Sequence, residues 1–397
     1  MAVTPLTLIA NPGSASRKYA LFEGQTLRAS IHFEYVNNNI ACTIQNQANT
    51  TQIPTNITRL SDIPSQLISF LHTHKIIDRS ESIHTIGIRV VAPGSYFLEN
   101  RQVDDTFIIQ MEASLPNAPL HIAATLDEVR IFRTALPNTP IIGISDSAFQ
   151  STKPEHAWLY GLPSRDAGRL DIKRYGYHGL SVSSVVHTLK SIGKLPTKVI
   201  VCHLGSGASV SAVHAGKAID TTMGYSPVEG LVMATRSGSV DSTALHVLKA
   251  DLKFTDTQLD MYLNTQSGLL GLSGSSSDIR ELLVHEEQGD HPAQLALQTY
   301  VYSVQKAIGQ MTAALGGIDS LIFTGTVGER SSSMRERILR PFHYLDLFLD
   351  TTINTECTAP QKPTCISHLS HSRPIYVVPT GELHEILRQT TAYRAPQ

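Results

Sequence analysis

The chain contains the same short pattern twice. Residues 11–24 read NPGSASRKYALFEG, and residues 203–216 read HLGSGASVSAVHAG. The apolar runs LTLIA and KVIVC precede the two copies, so each copy predicts a strand, a turn rich in Gly and Ser, a returning strand and a second glycine turn. At an offset of 192 residues, the identical pairs are Gly13 and Gly205, Ser14 and Ser206, Ala20 and Ala212, and Gly24 and Gly216.

The repeat has two interpretations. A turn made of Gly and Ser offers backbone amides and hydroxyls without bulky side chains, so polyphosphate oxygens can approach it closely. Two such hairpins, one per domain and facing across a cleft, would hold a nucleotide from both sides. Alternatively, turns of this composition simply join strands, and the residues alone leave both interpretations open.

Length and composition narrow the class of protein. A chain of 397 residues exceeds one ordinary hydrophobic core, so we expect two domains. Charged residues make up 17%, the net charge is -2, and no long basic run occurs, so we expect neither a nucleic acid nor a membrane as a partner. The opening has no basic leader segment, and no stretch approaches the roughly 18 apolar residues of a membrane span. The cysteines lack metal-binding spacing and indicate reduced thiols of a soluble cytoplasmic protein: Cys42, Cys202, Cys357 and Cys365.

Short apolar strands alternate with amphipathic helices, which is typical of α/β domains. One long helix is predicted to end at Gly316, and the strand SLIFTG, the turn GTVGER and a helix starting at Ser333 with a capping box to Glu336 follow it. Strand, glycine turn and helix can bring backbone N–H groups to a phosphate. Residues 40–60 and 350–372 are expected to be surface insertions. The apolar stripe of the long helix comprises Leu297, Tyr300, Val301, Val304, Ile308, Met311 and Leu315.

Further motifs follow one another along the chain: NPGSASRKYALF, APLH, SDSAF, RYGYHGLS, HLGSGASVSAV, DTTMGYSPVEGLVMATRSGSVD, SGLLGLSGSSSDIREL and FTGTVGERSSSMRERIL. In these motifs and in their order, the chain resembles the acetate kinase family from residue 8 to about 390. The resemblance implies a duplicated actin-like (ribonuclease H-like) α/β fold, with two domains flanking a nucleotide cleft. Residues 1–148 and 379–397 would form the domain of the first phosphate loop and the acyl substrate, and residues 149–378 that of the second phosphate loop and the adenosine. A hinge is expected near residues 146–150.

The activity that the resemblance implies is reversible transfer of the ATP γ-phosphoryl group to acetate, giving acetyl phosphate and ADP. Mg²⁺ or Mn²⁺ would be the metal, and the family implies a cytoplasmic homodimer. A carboxylate is already ionised at neutral pH and needs no base. It needs cationic screening and in-line alignment, for which arginines are suited because a guanidinium binds carboxylate or phosphoryl oxygens bidentately.

The resemblance assigns roles residue by residue. Catalytic positions are Arg89, Asp146, His178 and Arg236, and metal positions are Asn11 and Glu382. Substrate-binding positions are Arg89, Val91, Leu120, His121, Tyr177 and Pro227; from sequence alone, the apolar ones could equally be core residues. Nucleotide-binding positions are Lys18, His203, Leu204, Gly205, Ser206, Gly207, Asp278, Ile279, Arg280, Thr326, Val327, Gly328, Glu329 and Arg330.

The chain also departs from the family pattern. Tyr177 replaces a phenylalanine and adds a hydroxyl to an apolar pocket, and Ser206 replaces an asparagine near the phosphates. Two function classes therefore stand: an acetate, propionate or other short-chain acyl kinase, and a weakened relative that only binds nucleotide or acyl phosphate. The other departures are Ile88, Ala92 and Pro93 beside Arg89, IAA at 122–124, and Thr326 and Arg330 on the adenine side.

Overall fold

The chain divides into two compact units. The computed structural model describes residues 4–13, 16–36, 39–46, 49–117, 119–368 and 370–394, with residues 117 and 119–121 described by their backbone alone. The N-terminal unit comprises Met1–Ala148 and Glu382–Gln397, and the central unit comprises Phe149–Gly381.

Each unit contains one β-sheet and several helices. The strands are β1 (Leu6–Pro12), β2 (Ser16–Glu23), β3 (Thr26–Val36), β4 (Asn39–Asn46), β5 (Thr50–Ile53), β6 (Ile83–Val90), β7 (Arg101–Gln102), β8 (Ile141–Ser145), β9 (Lys198–Leu204), β10 (Ala208–His214), β11 (Lys217–Thr221), β12 (Ser320–Thr324), β13 (Thr364–Cys365) and β14 (Ile375–Val377). The helices are α1 (Ile63–Thr73), α2 (Asp105–Ser114), α3 (Pro119–Ala135), α4 (Ser164–Arg169), α5 (Gly179–Ser191), α6 (Ser242–Asp251), α7 (Asp256–Thr265), α8 (Gly268–Ser273), α9 (Ile279–Glu287), α10 (His291–Leu315), α11 (Gly325–Arg330), α12 (Ser332–Leu339), α13 (Thr351–Glu356) and α14 (Glu382–Arg394).

The two sheets repeat one topology. The N-terminal sheet has the order β5-β4-β3-β2-β1-β6-β8-β7, and the central sheet has the order β11-β10-β9-β12-β14-β13. In the first, β1, β2 and β3 are antiparallel neighbours, while β6 and β8 extend the sheet in parallel from β1. In the second, β9, β10 and β11 are antiparallel, while β12 and β14 extend it in parallel from β9. The α/β chain is therefore a duplicated actin-like fold, as predicted.

The repeated segment is the central hairpin of each sheet. β1 and β9 begin at residues 6 and 198, and β2 and β10 begin at residues 16 and 208, so the offset of 192 residues is kept in the structure. Gly24 and Gly216, which follow the returning strands, both have a positive φ, of 57° and 79°. Only glycine adopts that conformation without strain, which explains the shared residue. Ser14 lies outside the described residues.

The predicted long helix is confirmed as α10. Its apolar stripe is buried and packs on β9, β10 and β11, and it ends at Gly316 in the left-handed conformation. Two predictions for the residues after β12 were wrong. GTVGER forms the short helix α11 rather than a turn, and α12 is capped by Ser331, whose hydroxyl accepts from the Met334 amide, rather than by Ser333. The second helix starts earlier because an acceptor directly after α11 satisfies its free amides.

Residues 40–60 are not a mere surface insertion. Most of them form β4 and β5, which lengthen the edge of the N-terminal sheet, and Ile40, Cys42 and Ile44 alternate into its core. The period-2 spacing of these three residues carried that signal among the Asn, Thr and Gln residues. All four cysteines are free thiols, as predicted. Within the described residues, no helix combines the length and apolar character needed to cross a bilayer.

Candidate active site

Four of the predicted residues lie together at one edge of the N-terminal sheet. Asn11 is near the end of β1, Arg89 is near the end of β6, Asp146 follows β8, and Glu382 begins α14. The three strands run parallel to one another, so their carboxyl ends meet at the edge where α/β sheets usually bind ligands. Sheet topology thus brings residues from four distant stretches into one cluster.

Hydrogen bonds join the four side chains. Arg89 donates from Nη2 to Asp146 Oδ2 at 2.9 Å and from Nη1 to Asn11 Oδ1 at 3.2 Å. Asn11 in turn donates from Nδ2 to Glu382 Oε2 at 3.1 Å, and Arg89 Nη1 lies 3.9 Å from that same oxygen. Two carboxylates around one guanidinium leave the cluster with one surplus negative charge. The cluster therefore holds an oriented arginine and still attracts a cation.

The charge of Arg89 is secured by its neighbours. Burial alone would lower its pKa, but the negative charges of Asp146 and Glu382 and the hydrogen bond to Asp146 raise the pKa above its ordinary value. Asp146 is fully buried, which strengthens the pairing because little water competes for it. Arg89 is thus cationic at any working pH, and its hydrogen bonds fix the orientation of its guanidinium group.

The other predicted residues of the N-terminal unit lie close by or beyond the described part. Lys18 is exposed on β2 and is the cross-strand partner of Asn11. Val91 is buried directly after β6. Leu120 and His121 begin α3, and their side chains lie outside the described residues.

A second cluster lies in the central unit around two histidines. The rings of His178 and His203 have centroids 4.1 Å apart, and each ring has a serine partner on its Nδ1: Ser209 at 2.9 Å and Ser181 at 2.7 Å, respectively. His178 precedes α5 in the left-handed conformation, with a φ of 56°. That backbone is uncommon for a residue with a side chain, and such strain is concentrated at functional sites.

Arg236 meets the same cluster at Gly207. A Cβ added to Gly207 would lie 3.1 Å from His178 Nε2 and 3.4 Å from Arg236 Nη2, so the glycine marks where imidazole and guanidinium converge. Arg236 Nη1 donates to the backbone carbonyl of Pro227 at 3.0 Å, which fixes the arginine. Because Gly207 has no side chain, a ligand can approach the His178 imidazole and the Arg236 guanidinium at this point.

Tyr177 is buried, with 1% of its surface exposed, and its hydroxyl donates to the Tyr225 carbonyl at 2.7 Å. The extra hydroxyl is therefore bonded to the backbone, as a buried polar group requires. This bond also ties the Tyr177 ring to the stretch that carries Pro227.

The predicted nucleotide-binding turn joins β9 to β10. His203 and Leu204 are buried, Ser206 is exposed, and the Gly205 amide donates to the Gly207 carbonyl at 3.0 Å. A Cβ on Gly205 would be 3.8 Å from the Thr326 amide nitrogen, so the turn and the start of α11 are adjacent. In α11, Thr326 and Arg330 are exposed, Val327 is half-buried and Gly328 is buried.

Two predicted nucleotide-binding carboxylates have local partners. Glu329 Oε1 accepts from the amides of Gly325 at 3.0 Å and Thr380 at 2.9 Å, and so braces the start of α11. Asp278 caps α9 by accepting from the Arg280 amide at 2.8 Å, and it pairs with the exposed Arg280 side chain. Ile279, between them, is buried.

Sequence reasoning missed a charged network behind Tyr177. Glu229 accepts from the Tyr160 hydroxyl and pairs with Arg174 at 2.9 Å, and the Tyr160 oxygen accepts from the Tyr225 amide at 2.8 Å. These residues come from separate stretches of chain, and no local pattern indicated their meeting.

A second missed group lies between β2 and α3. Arg17 and Glu128 are buried and in contact, with Arg17 Nε 2.9 Å from Glu128 Oε1. Here a signal was present: Arg17 falls on the same face of β2 as the core residues Tyr19 and Leu21, where a cation requires a partner.

Comparison with known proteins gives one consistent result. The family model of the "Acetokinase family" matches residues 6–388. The chain is 35% identical to an acetate kinase of Bacillus mycoides over 382 residues, 94% of each chain, and 37% identical to one of Clostridium botulinum over 320 residues, 80% of each. The crystal structure of Porphyromonas gingivalis acetate kinase superposes with a TM-score of 0.85 at 32% identity, covering 98% of this chain and 99% of that one. A propionate kinase from Francisella tularensis gives 0.88 at 30% identity, with the same coverage. The chain therefore belongs to the acetokinase family.

Proposed function

We propose that this protein is an acetate kinase, a phosphotransferase with a carboxyl group as acceptor. The observation that carries the proposal is the cluster of Asn11, Arg89, Asp146 and Glu382, in which a half-buried, oriented arginine lies beside surplus negative charge. Such a set suits one anion and one metal ion together. A generic nucleotide-binding protein would have no need for an arginine fixed in this way.

The chemistry asks little of the protein beyond charge and alignment. A carboxylate oxygen of acetate attacks the γ-phosphorus of ATP, the bond from that phosphorus to the β–γ bridging oxygen breaks, and ADP leaves with the electron pair. Arg89 would hold the carboxylate, while Arg236 and His178 would stabilise charge on the transferring phosphoryl group. No side chain has to remove a proton from acetate.

The residues present fit a magnesium ion bound largely through water. Asn11 and Glu382 offer hard oxygen donors in a cluster of net negative charge, and Mg²⁺ usually keeps several waters beside one or two protein ligands and substrate phosphates. Within the described residues, no group of three or more His, Cys, Asp or Glu side chains forms a full protein cage. The ion would neutralise phosphate charge, and Asn11 and Glu382 would hold its water shell.

The nucleotide end of the reaction is assigned to the central unit. The turn of Gly205, Ser206 and Gly207 has the open backbone that phosphates need, and Thr326 lies beside it. Exposed Arg280 and Arg330 are suited to stack on a base or meet a phosphate. The resemblance to the family also predicts that the protein is a homodimer and that it is cytoplasmic.

A short-chain acyl kinase that prefers propionate is the second candidate, because a propionate kinase is among the similar structures. The test traps acyl phosphate with hydroxylamine in the presence of ATP and Mg²⁺, using acetate, propionate, butyrate or no acid. We expect acid-dependent product that is largest with acetate. Product that is largest with propionate would favour the second candidate, and nucleotide binding without product from any acid would indicate a weakened relative.

Arginine variants of the same protein sharpen this test. Arg89→Ala should lose acid-dependent product, whereas Arg133→Ala, which removes an exposed arginine paired with Asp105, serves as the matched control and should not. Equal rates in the two variants would contradict the proposed role of the cluster.

A further inference from the structure

A buried ion pair links the body of the N-terminal unit to its Gly-Ser turn. Glu128 lies in α3, which packs on β1 and β6, and is fully buried. Its Oε1 is 2.9 Å from Arg17 Nε and accepts from the Tyr19 hydroxyl at 2.9 Å. At its far end, the Arg17 guanidinium donates from Nη1 to the Gly13 carbonyl.

Gly13 is one end of the turn. Its amide donates to the Ser16 carbonyl at 2.9 Å, and Arg17 is the cross-strand partner of Pro12. The next pair along the ladder is Asn11 with Lys18, both predicted to be site residues. The Arg17–Glu128 pair therefore acts on the Gly13 carbonyl, close in the chain to the proposed metal contact Asn11 and the proposed phosphate contact Lys18.

We infer that Glu128, acting through Arg17, is a positioning residue that holds the Gly13 carbonyl away from a nucleotide phosphate bound beside β1 and β2. A carbonyl oxygen that swung outward would present negative charge to a phosphate. Arg17 prevents this by giving the carbonyl a charged donor on the inner side, and Glu128 holds Arg17 there. This inference rests on the proposed function, because it assigns the turn to a nucleotide.

Stability does not account for the pair. Glu128 Oε2 has no hydrogen-bond partner among the described residues. Arg17 Nε lies close to Glu128 Oε1, but the two atoms are not aligned as a hydrogen bond. Burial raises the pKa of Glu128 to about 7, although the Arg17 charge and the Tyr19 hydrogen bond lower it. Well-packed apolar residues at such a site are often as stable or more so. What apolar residues could not supply is the donor to Gly13.

The test uses the full chain with three variants and one control. Arg17→Met removes the donor, Glu128→Gln removes the charge that holds it, and Arg17→Met/Glu128→Leu replaces the pair by apolar residues so that no lone buried charge remains. Asp105→Asn is the control, because it breaks the exposed pair with Arg133 on the neighbouring helices.

Loss of a charge-assisted hydrogen bond should raise the KM for MgATP about tenfold in Arg17→Met and in the double variant, while the KM for acetate stays within about twofold. In Glu128→Gln, the KM for MgATP should rise less. In the wild type, we expect the KM for MgATP to change between pH 6 and 8, because Glu128 titrates there beside Arg17, Tyr19 and Asp127. In Glu128→Gln, this change of the KM with pH should be absent. A purely structural role would move kcat and both KM values together, or none of them.

Binding of a fluorescent ATP analogue keeps the inference separate from the activity. If the wild-type protein makes no acyl phosphate but binds the analogue, the proposed function fails and the affinities of the variants still decide the inference. Wild-type affinity in the Arg17→Met/Glu128→Leu double variant would overturn it.

Discussion

Replacing Glu128 by Gln should make the stability of the chain respond differently to pH. The side chain is fully buried, and its pKa is raised from the ordinary 4.5 to about 7, chiefly by burial. Between these two values, the folded chain binds a proton that the unfolded chain has released. The free energy of unfolding of the wild type therefore falls, relative to the variant, as the pH rises through this window, and the difference levels off above the folded pKa.

The size of the effect follows from the two pKa values. A displacement of about 2.5 pKa units corresponds to about 3 kcal/mol, since each unit is worth about 1.4 kcal/mol. Gln has nearly the shape of protonated Glu and does not titrate, so the other ionisable groups cancel in the comparison. Near pH 8, Glu128→Gln should thus be the more stable chain by up to about 3 kcal/mol, even though we expect it to bind nucleotide less well.

Urea unfolding at five pH values from 4 to 8, followed by circular dichroism, measures this difference. Because a chain of two units can unfold in separate steps, the comparison uses the transition that Glu128→Gln displaces, with Asp105→Asn as the exposed control. A difference that stays constant with pH would refute the reasoning. So would a wild type that gains on the variant as the pH rises, because the Arg17 charge would then outweigh burial.

Three further outcomes are expected. Arg236→Ala should lower kcat by at least about a hundredfold with the fold intact, measured by hydroxamate formation and circular dichroism; an unchanged kcat would remove Arg236 from the mechanism. Tyr177→Phe should leave the order of acids unchanged and shift kcat/KM for acetate by less than about tenfold, since its hydroxyl is bonded to Tyr225 rather than offered to a ligand; a reversal of preference in the acid series would contradict this. Leu297→Ala in the buried stripe of α10 should lower the free energy of unfolding by about 3 kcal/mol, whereas the exposed Leu295→Ala should change it by less than about 0.5 kcal/mol; equal losses in urea unfolding would show the stripe to be misassigned.

The sequence predicted the parts of the fold that depend on local pattern. The repeated hairpin, the long apolar stripe and its glycine end each follow from short-range rules, and each was found. The errors were local as well: Ser333 was predicted as the cap because Glu336 follows it by three residues, but the cap is Ser331, which directly follows α11. The short helix at GTVGER was missed because two glycines in six residues are more typical of a turn.

The site could be predicted only in part. Resemblance supplied Asn11, Arg89, Asp146 and Glu382, but their mutual hydrogen bonds depend on the order of β1, β6 and β8, which no single stretch encodes. Glu128 was beyond reach for the same reason, since α3 must first be laid on β1 before its inward face is known.

The strand registers show one place where the two halves of the duplicated fold differ. Ile88 of β6 pairs with Gly143 of β8, and Phe323 of β12 pairs with Val377 of β14 in the same way. Arg89 and Thr324 each come one residue after the first partner of these pairs, so they correspond to each other. Asp146 and Thr380 each come three residues after the second partner, so they correspond as well. The N-terminal unit has an ion pair of 2.9 Å at this place, and the central unit has a hydroxyl pair of 2.9 Å.

Equivalent positions of the two units thus hold two different pairs, and in each pair the two partners match. Asp146→Thr alone should lower the free energy of unfolding by about 2 kcal/mol, because it deprives the half-buried Arg89 of its nearest carboxylate. Adding Arg89→Thr should recover most of that loss, while both variants should lack acid-dependent phosphoryl transfer. Urea unfolding and hydroxamate formation on the two single variants and the double variant complete the cycle. If the double variant were no more stable than Asp146→Thr, the charge of Arg89 would not be what makes Asp146 necessary, and the cluster would have to be explained by packing instead.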